Sequence, residues 1–204
     1  MEFLSVFVMI VVTAVLAENF ILVQFLGICP FLGVSKKTGS ALGMGIAVTM
    51  VMVLATLLTY PLYEFVLVKL HIEYLEIIFF IFIIAALVQM LEKIMQKLTP
   101  SLYNTMGIYL PLITTNCAIL GVAELVISES AMSAILGGAT MNLGWALLYA
   151  LFSGIGFTLA IFLMGGVREK VDLLNLPKSV KGFPITMVVA CFMAMAFGVF
   201  KFIV

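Results

Sequence analysis

Apolar runs long enough to cross a bilayer, separated only by short polar segments, fill this chain and leave few folds open to it. A hydrocarbon core about 30 Å thick needs about 20 apolar residues per helix. The 204 residues hold six such runs, roughly 3–26, 40–63, 74–92, 104–124, 133–164 and 183–203. Composition agrees: 65% of the residues are hydrophobic and 10% charged, against roughly 45–50% and 25% in soluble domains. The reading is therefore an all-α integral membrane protein of six transmembrane helices, a single membrane domain over 1–204 with no room for a water-soluble domain. Ten acids against ten bases leave no net charge, which argues against nucleic acid or a polybasic lipid anchor as the main partner.

One phrase occurs twice. Residues 29–34 read Cys-Pro-Phe-Leu-Gly-Val and residues 117–122 read Cys-Ala-Ile-Leu-Gly-Val, an offset of 88 shared by Leu22 and Leu110. Half of an architecture has been repeated. Lys36 and Lys37, then Lys93 and Lys97, then Arg168, Lys170, Lys178 and Lys181 fall in the first, third and fifth connections, while Lys69 is the only base in the second or fourth. By the bias of Lys and Arg toward the cytoplasm, both termini face the outer side. Three spans separate each phrase from its copy, so the halves, approximately 1–97 and 98–204, are expected to be inverted with respect to the membrane. The flanks agree, since Lys36 follows the first phrase by two residues and Glu124 follows the second.

The first run has no Lys or Arg before it and resumes at once with Phe20-Ile21-Leu22-Val23 after the small residue Ala17. A retained first helix is the better reading than a cleaved signal peptide. From Phe3 to Val34 is 32 residues, about 48 Å if helical throughout and too long for the core without strong tilt or a break. Gly27-Ile28-Cys29-Pro30 supplies that break, since proline removes a backbone donor and clashes one turn back. Cys29 is thus expected where helix gives way to irregular backbone. In the copy, Leu110-Pro111 precede Thr114-Thr115-Asn116-Cys117, hydroxyls and an amide able to satisfy freed peptide groups. Broken first and fourth helices in two inverted halves point to a functional site near the midplane.

Buried cysteines are usually small apolar fillers, and Cys191, with no repeated phrase around it, is read that way. Cys29 and Cys117 repeat with matching neighbours. A disulfide is unattractive on an apolar chain without the dense cysteines of secreted scaffolds. A metal site is incomplete, since iron–sulfur clusters take four thiolates and zinc four ligands, whereas only these two cysteines and His71 are on offer. The ligand count therefore calls for a second polypeptide that supplies two more cysteines.

Residues 18–37, Glu-Asn-Phe-Ile-Leu-Val-Gln-Phe-Leu-Gly-Ile-Cys-Pro-Phe-Leu-Gly-Val-Ser-Lys-Lys, and 110–122, Leu-Pro-Leu-Ile-Thr-Thr-Asn-Cys-Ala-Ile-Leu-Gly-Val, resemble the A subunits of Rnf complexes. The likeness runs through Ala86-Leu87-Val88-Gln89 and Val167-Arg168-Glu169-Lys170. The E subunit of sodium-pumping NADH:quinone reductase is a sister family with the same fold. The resemblance implies a six-helix inverted-repeat subunit paired with a homologous E-type subunit in the opposite orientation, in a prokaryotic cytoplasmic (inner) membrane. It implies a 2Fe–2S cluster between the two, with Cys29 and Cys117 as this chain's ligands. The complex would pass electrons between ferredoxin and NAD⁺ through flavins and further iron–sulfur clusters in other subunits, and couple that flow to Na⁺ or H⁺ transport. No Gly-x-Gly-x-x-Gly strand–helix unit is present, so nicotinamide would bind elsewhere. This chain would be part of a translocase and not catalytic alone.

A secondary transporter would show the same inverted repeats and broken helices, and a membrane scaffold would need no iron. The paired thiols are what neither explains. Glu18, Asn19, Gln24, Gln89 and Asn142 lie in or near spans, where polar groups are costly and often functional, although Glu18 and Glu92 also suit the interface. Asn116 is read as orienting the broken helix. Gly39, Gly43 and Ala47, and Gly137-Gly138, are read as small-residue packing faces, and Tyr60, Tyr63, Tyr74, Tyr103 and Tyr109 as interfacial belts.

Overall fold

The computed structural model describes residues 2–35, 38–67, 69, 73–98, 110–128, 142–173 and 182–203, and eight α-helices account for nearly all of these. Helix α1 (Glu2–Val12) runs into a π-helical turn at Thr13–Ala17, and α2 (Ile28–Val34) follows after an unwound stretch. Helix α3 (Thr38–Leu62) ends in a second π-helical turn, Tyr63–Leu67, and a 3₁₀ turn at Glu73–Leu75 leads into α4 (Glu76–Leu98). Two short helices, α5 (Leu110–Thr114) and α6 (Cys117–Ile127), precede the long α7 (Leu143–Asp172) and α8 (Phe183–Ile203).

Among the described residues, four segments are long and apolar enough to cross a membrane: Thr38–Leu67, Glu76–Ile94, Leu143–Val171 and Phe183–Phe200. The expected first and fourth spans are instead the interrupted ones, represented by the shorter apolar stretches Leu4–Ala17 and Leu112–Ile127. The protein is a multi-pass helical membrane protein. Boundaries shift at the fifth span, where Arg168, Glu169 and Lys170, expected in a connection, extend the helix to Asp172. The start expected for that span, with Gly137-Gly138, lies outside the described residues, as do Lys36, Lys37, His71, Tyr103, Tyr109, Lys178 and Lys181.

The first break comes ten residues earlier than the sequence suggests. Regular helix stops at Ala17, and Cys29 and Pro30 sit in the first turn of α2. Pro30 begins a helix here and does not end one, because the first-turn N–H groups have no intrahelical partner to lose. Asn19 holds the unwound stretch together. Its Nδ2 donates to Val15 O (3.1 Å) and Gly156 O (2.9 Å), and its Oδ1 accepts from Ile21 N (3.1 Å) and Leu22 N (3.3 Å). Backbone groups freed at membrane depth need such partners.

Helices α3 and α7 form the principal pairing, and its centre is reciprocal. A Cβ on Gly45 would lie 2.6 Å from Thr158 Oγ1, and one on Gly154 would lie 2.7 Å from Thr49 Oγ1. The two hydroxyls approach to 3.3 Å, and each donates back to its own helix, Thr49 to Gly45 O and Thr158 to Gly154 O, both at 2.8 Å. Lipid tails are as apolar as the side chains, so close backbone approach across small residues drives this association more than area burial. Gly39, expected on the packing face, has nothing within 4 Å of its Cβ direction, so the contact falls at Gly45 instead. Gly45 lies about 1.7 turns further along α3, on a different side of the helix from Gly39.

Behind this crossing sit the buried aromatics Phe20, Phe31, Phe80, Tyr149 and Phe157. Helix α8 is the outlier, with 6% of its apolar window buried against 50% for α7. Phe192, Met195 and Val199 on it face outward, as does Cys191, so that residue fills no core. At the far end of α7, Arg168 Nη1 donates to Leu32 O (2.9 Å) and Ser35 Oγ (3.1 Å) at the C-terminus of α2. Glu169 Oε1 accepts from Thr38 N (3.2 Å) and Thr38 Oγ1 (3.0 Å) at the N-terminus of α3. A cation thus caps one helix end and an anion the next, each the favourable sign for its helix dipole.

Candidate cysteine site at two helix breaks

The repeated cysteines each occupy the first turn of a short helix that starts after a break. Cys29 is the second residue of α2 and Cys117 the first of α6. Local sequence explains both starts. Gly27 precedes α2 with φ of 81° and ψ of 26°, a left-handed conformation that non-glycine residues adopt only at a cost. Asn116 precedes α6 in extended conformation, and its Oδ1 accepts from Ala118 N at 3.1 Å, an N-cap of the usual kind. The expectation that Asn116 orients the broken helix therefore holds, and its Nδ2, buried, has no partner among the described residues.

The two phrases meet. Gly27 N donates to Cys117 Sγ at 2.9 Å, across 90 residues of chain. A Cβ at Gly27 would stand 2.8 Å from Phe157 Cε2, 3.1 Å from Asn116 Oδ1 and 3.2 Å from Ala118 Cβ, so only glycine lets the two helix starts come this close. Both thiols are free and exposed on the chain, with no disulfide between them. Among the described residues no three His, Cys, Asp or Glu side chains converge on one point.

This donor set fits one half of a thiolate-ligated cluster. Two exposed sulfurs at helix N-termini, one already receiving a peptide N–H, suit an anionic group, because N–H donors and the positive end of a helix stabilise negative charge. The remaining ligands of a four-thiolate cluster would have to come from another chain. An apolar groove of about 750 Å³ between α3 and α7, lined by Leu42, Ile46, Met50, Ile155 and Phe162, contains neither cysteine.

Of the other expected polar residues, Asn19 is fully buried, Glu18, Gln24 and Glu92 are half-buried, and Gln89 and Asn142 are exposed. Asn142 stands at the cap position of α7 without a side-chain cap bond. Tyr74 is 82% exposed, which suits an interface residue, while Tyr63 packs edge-on against Phe80. Sequence reading missed the Gly45-Ile46-x-x-Thr49 and Gly154-Ile155-x-x-Thr158 pair. It is a second repeated phrase, but its offset of 109 differs from the 88 of the cysteine phrases, so comparison at one fixed offset passes over it.

Comparison with known proteins places these features. Residues 7–204 match the family described as Rnf-Nqr subunit, membrane protein. The chain is 46% identical to the A subunit of the Na⁺-translocating ferredoxin:NAD⁺ oxidoreductase complex of Acetobacterium woodii, over 93% of this chain and 94% of that protein. It is 47% identical to the A subunit of the ion-translocating oxidoreductase complex of Syntrophotalea carbinolica, over 93% of each. The corresponding protein of Sodalis glossinidius is 43% identical over 94% of each. A family match along nearly the whole chain, with the duplicated cysteine phrases at its two breaks, shows that this protein belongs to the Rnf-Nqr family of membrane subunits, among the proteins of A type.

Proposed function

We propose that this chain is the A-type membrane subunit of an ion-translocating ferredoxin:NAD⁺ oxidoreductase and carries two of the four ligands of an intramembrane 2Fe–2S cluster, Cys29 and Cys117. A homologous E-type subunit, inverted in the membrane, contributes the other two. The observation that carries the reading is the Gly27 N–H bond to Cys117 Sγ, which joins the first helix break to the second through the thiol itself. When bound, the cluster supplies a one-electron relay between carriers held by other subunits.

The residues of this chain do the rest. Gly27 and Asn116 fix the two helix starts, α2 and α6 present the thiols to a partner, Arg168 anchors the far end of the Cys29-bearing helix, and Glu169 holds the start of α3 beside it. The reciprocal Gly45–Thr158 and Gly154–Thr49 contacts support a pseudo-two-fold axis through the α3–α7 crossing. A contact in which residue i meets j while the counterpart of j meets that of i is what two-fold symmetry requires. Inverted halves around such an axis give the complex a means to couple electron flow to Na⁺ or H⁺ movement. The placement in this reading is the cytoplasmic membrane with both termini on the outer side, an orientation that the distribution of Lys and Arg supports.

The test is electron paramagnetic resonance on the anaerobically purified, reduced complex, with wild type beside Cys29→Ala and Cys117→Ala. Loss of the same 2Fe–2S signal in both variants, with the flavins and other clusters intact, is the expected result. Retention of that signal in either variant would overturn the ligand assignment.

A further inference from the structure

The peptide N–H of Gly27 takes a partner that its neighbours do not. Leu26 N donates to Phe20 O at 2.7 Å, and Gly27 O accepts from Phe31 N at 3.4 Å, so the groups on either side find backbone partners. Gly27 is buried, and its own N–H goes to a sulfur, Cys117 Sγ at 2.9 Å. A neutral thiol is a weak acceptor, whereas acceptors that carry negative charge form the stronger bonds. Among the described residues Cys29 Sγ receives no such donor, although it belongs to the same repeated phrase. The two cysteines are therefore not equivalent.

The backbone turns sharply where it makes this bond. Phe25 has φ of 58° and Gly27 φ of 81°. A bulky L-residue in the left-handed region is strained, and it stays there only where the surrounding structure holds it. Burial of the ring is not what holds it, since Phe25 is 59% exposed. The contacts come from the residues that follow. A Cβ at Gly121, one turn beyond Cys117 on α6, would lie 2.8 Å from Leu26 Cδ1 and 3.4 Å from Phe20 Cε1, so Leu26 seats against α6 where no side chain stands. Asn116, Ala118 and Phe157 close around Gly27 itself. Seated at these two levels, the strained turn aims the Gly27 N–H at Cys117 Sγ.

We propose that the Gly27 N–H raises the reduction potential of the bound cluster by acting on Cys117 alone of this chain's two ligands, and that Phe25 is the positioning residue that aims it. The proposal rests on the ligand reading above and goes beyond it, because ligation by itself needs no such donor. Iron–sulfur potentials are set in part by net charge and by hydrogen bonds to the sulfurs. A donor on a ligating sulfur favours the more negative, reduced form, so keeping the bond raises the potential and losing it lowers it. No bond is made or broken in the step: one electron arrives from a reduced carrier in another subunit and leaves to an oxidised one, while the proton stays on Gly27. The first repeated phrase thus tunes the ligand of the second.

The experiment uses the intact, reduced complex labelled with ¹⁵N-glycine, read by pulsed electron paramagnetic resonance, with the cluster midpoint taken from a redox titration. Wild type should show hyperfine coupling between the cluster and a glycine nitrogen. Phe25→Val disfavours the left-handed turn without touching the core. It should weaken that coupling and lower the midpoint, shifting the reduction equilibrium by about tenfold, or about 59 mV for one electron. Phe25→Gly loses the same ring but accepts positive φ freely, so it should keep the wild-type coupling and midpoint. A wild-type cluster without glycine coupling would overturn the proposal, and that measurement needs no variant to fold. So would a wild-type midpoint in Phe25→Val, or an equal fall in Phe25→Gly, which would assign the effect to the ring and not to the backbone. Cys117→Ala prepared in parallel separates the two readings. A cluster signal that survives it refutes the ligand assignment, whereas a signal lost there but uncoupled to glycine in wild type refutes the tuning alone.

Discussion

Replacing Gly27 by alanine tests the geometry that joins the two cysteine phrases. Gly27 holds φ of 81°, and an L-residue in the left-handed region gives up about 1–2 kcal/mol. The added Cβ would also stand 2.8 Å from Phe157 Cε2 and 3.1 Å from Asn116 Oδ1. Phe157 is fully buried and Asn116 Oδ1 is tied to Ala118 N, so neither gives way freely, and overpacking of this kind costs about 1–3 kcal/mol. The sum, about 2–5 kcal/mol, falls on the unwound segment before α2. Relief by rotating the backbone at residue 27 turns its N–H away from Cys117 Sγ. Iron content and the paramagnetic signal of the purified complex should therefore fall, with a lower melting temperature. Gly166→Ala is the matched control: it lies inside α7 with nothing within 4 Å of its Cβ direction, and it should be neutral or slightly stabilising. Wild-type iron content and melting temperature in Gly27→Ala would refute the reasoning.

Three further outcomes follow from particular contacts. Gly45→Ala and Gly154→Ala should destabilise to a similar degree, about 1–3 kcal/mol each by overpacking, and Thr158→Ala should partly rescue the first while leaving the second unrelieved. Thermal unfolding of the single and double variants checks this, and a rescue that ignores the pairing would contradict the reciprocal crossing. Asn19→Leu removes four side-chain bonds at the unwound stretch and should cost several kcal/mol, since each buried group left unsatisfied loses about 1–3 kcal/mol; poor accumulation in membranes and rapid proteolysis near residues 18–27 are the readouts. Arg168→Ala should loosen the Cys29-bearing helix and broaden the cluster spectrum, with Arg168→Lys restoring it only in part, because the lysine side chain ends one bond short of Nη1, the nitrogen that donates to both Leu32 O and Ser35 Oγ, and lacks the planar guanidinium that holds it in place; identical spectra for all three proteins would remove Arg168 from a positioning role.

The sequence alone determined that this chain lives in a membrane, because hydrophobic run length is a direct consequence of bilayer thickness. It also carried one phrase twice, at Cys29 and at Cys117, which set these two cysteines apart from Cys191, around which no phrase repeats. The role of Asn116 was legible too, because an amide just before a helix start has one common use. Other features were decided only in three dimensions. Pro30 reads as a helix breaker, yet the ten unwound residues before α2, held by Asn19, turn it into a helix starter. Gly39 and Gly45 look alike in sequence, and only the crossing with α7 tells which of them touches Thr158. That the buried hydroxyls of Tyr149 and Ser153 on α7 find no hydrogen-bond partner among the described residues was likewise invisible, because the need for a partner depends on what packs around a hydroxyl and not on which residues flank it. Local chemistry fixes where a helix can begin or stop, while the satisfaction of buried polar groups depends on segments distant in the chain, and only the tertiary structure brings those together.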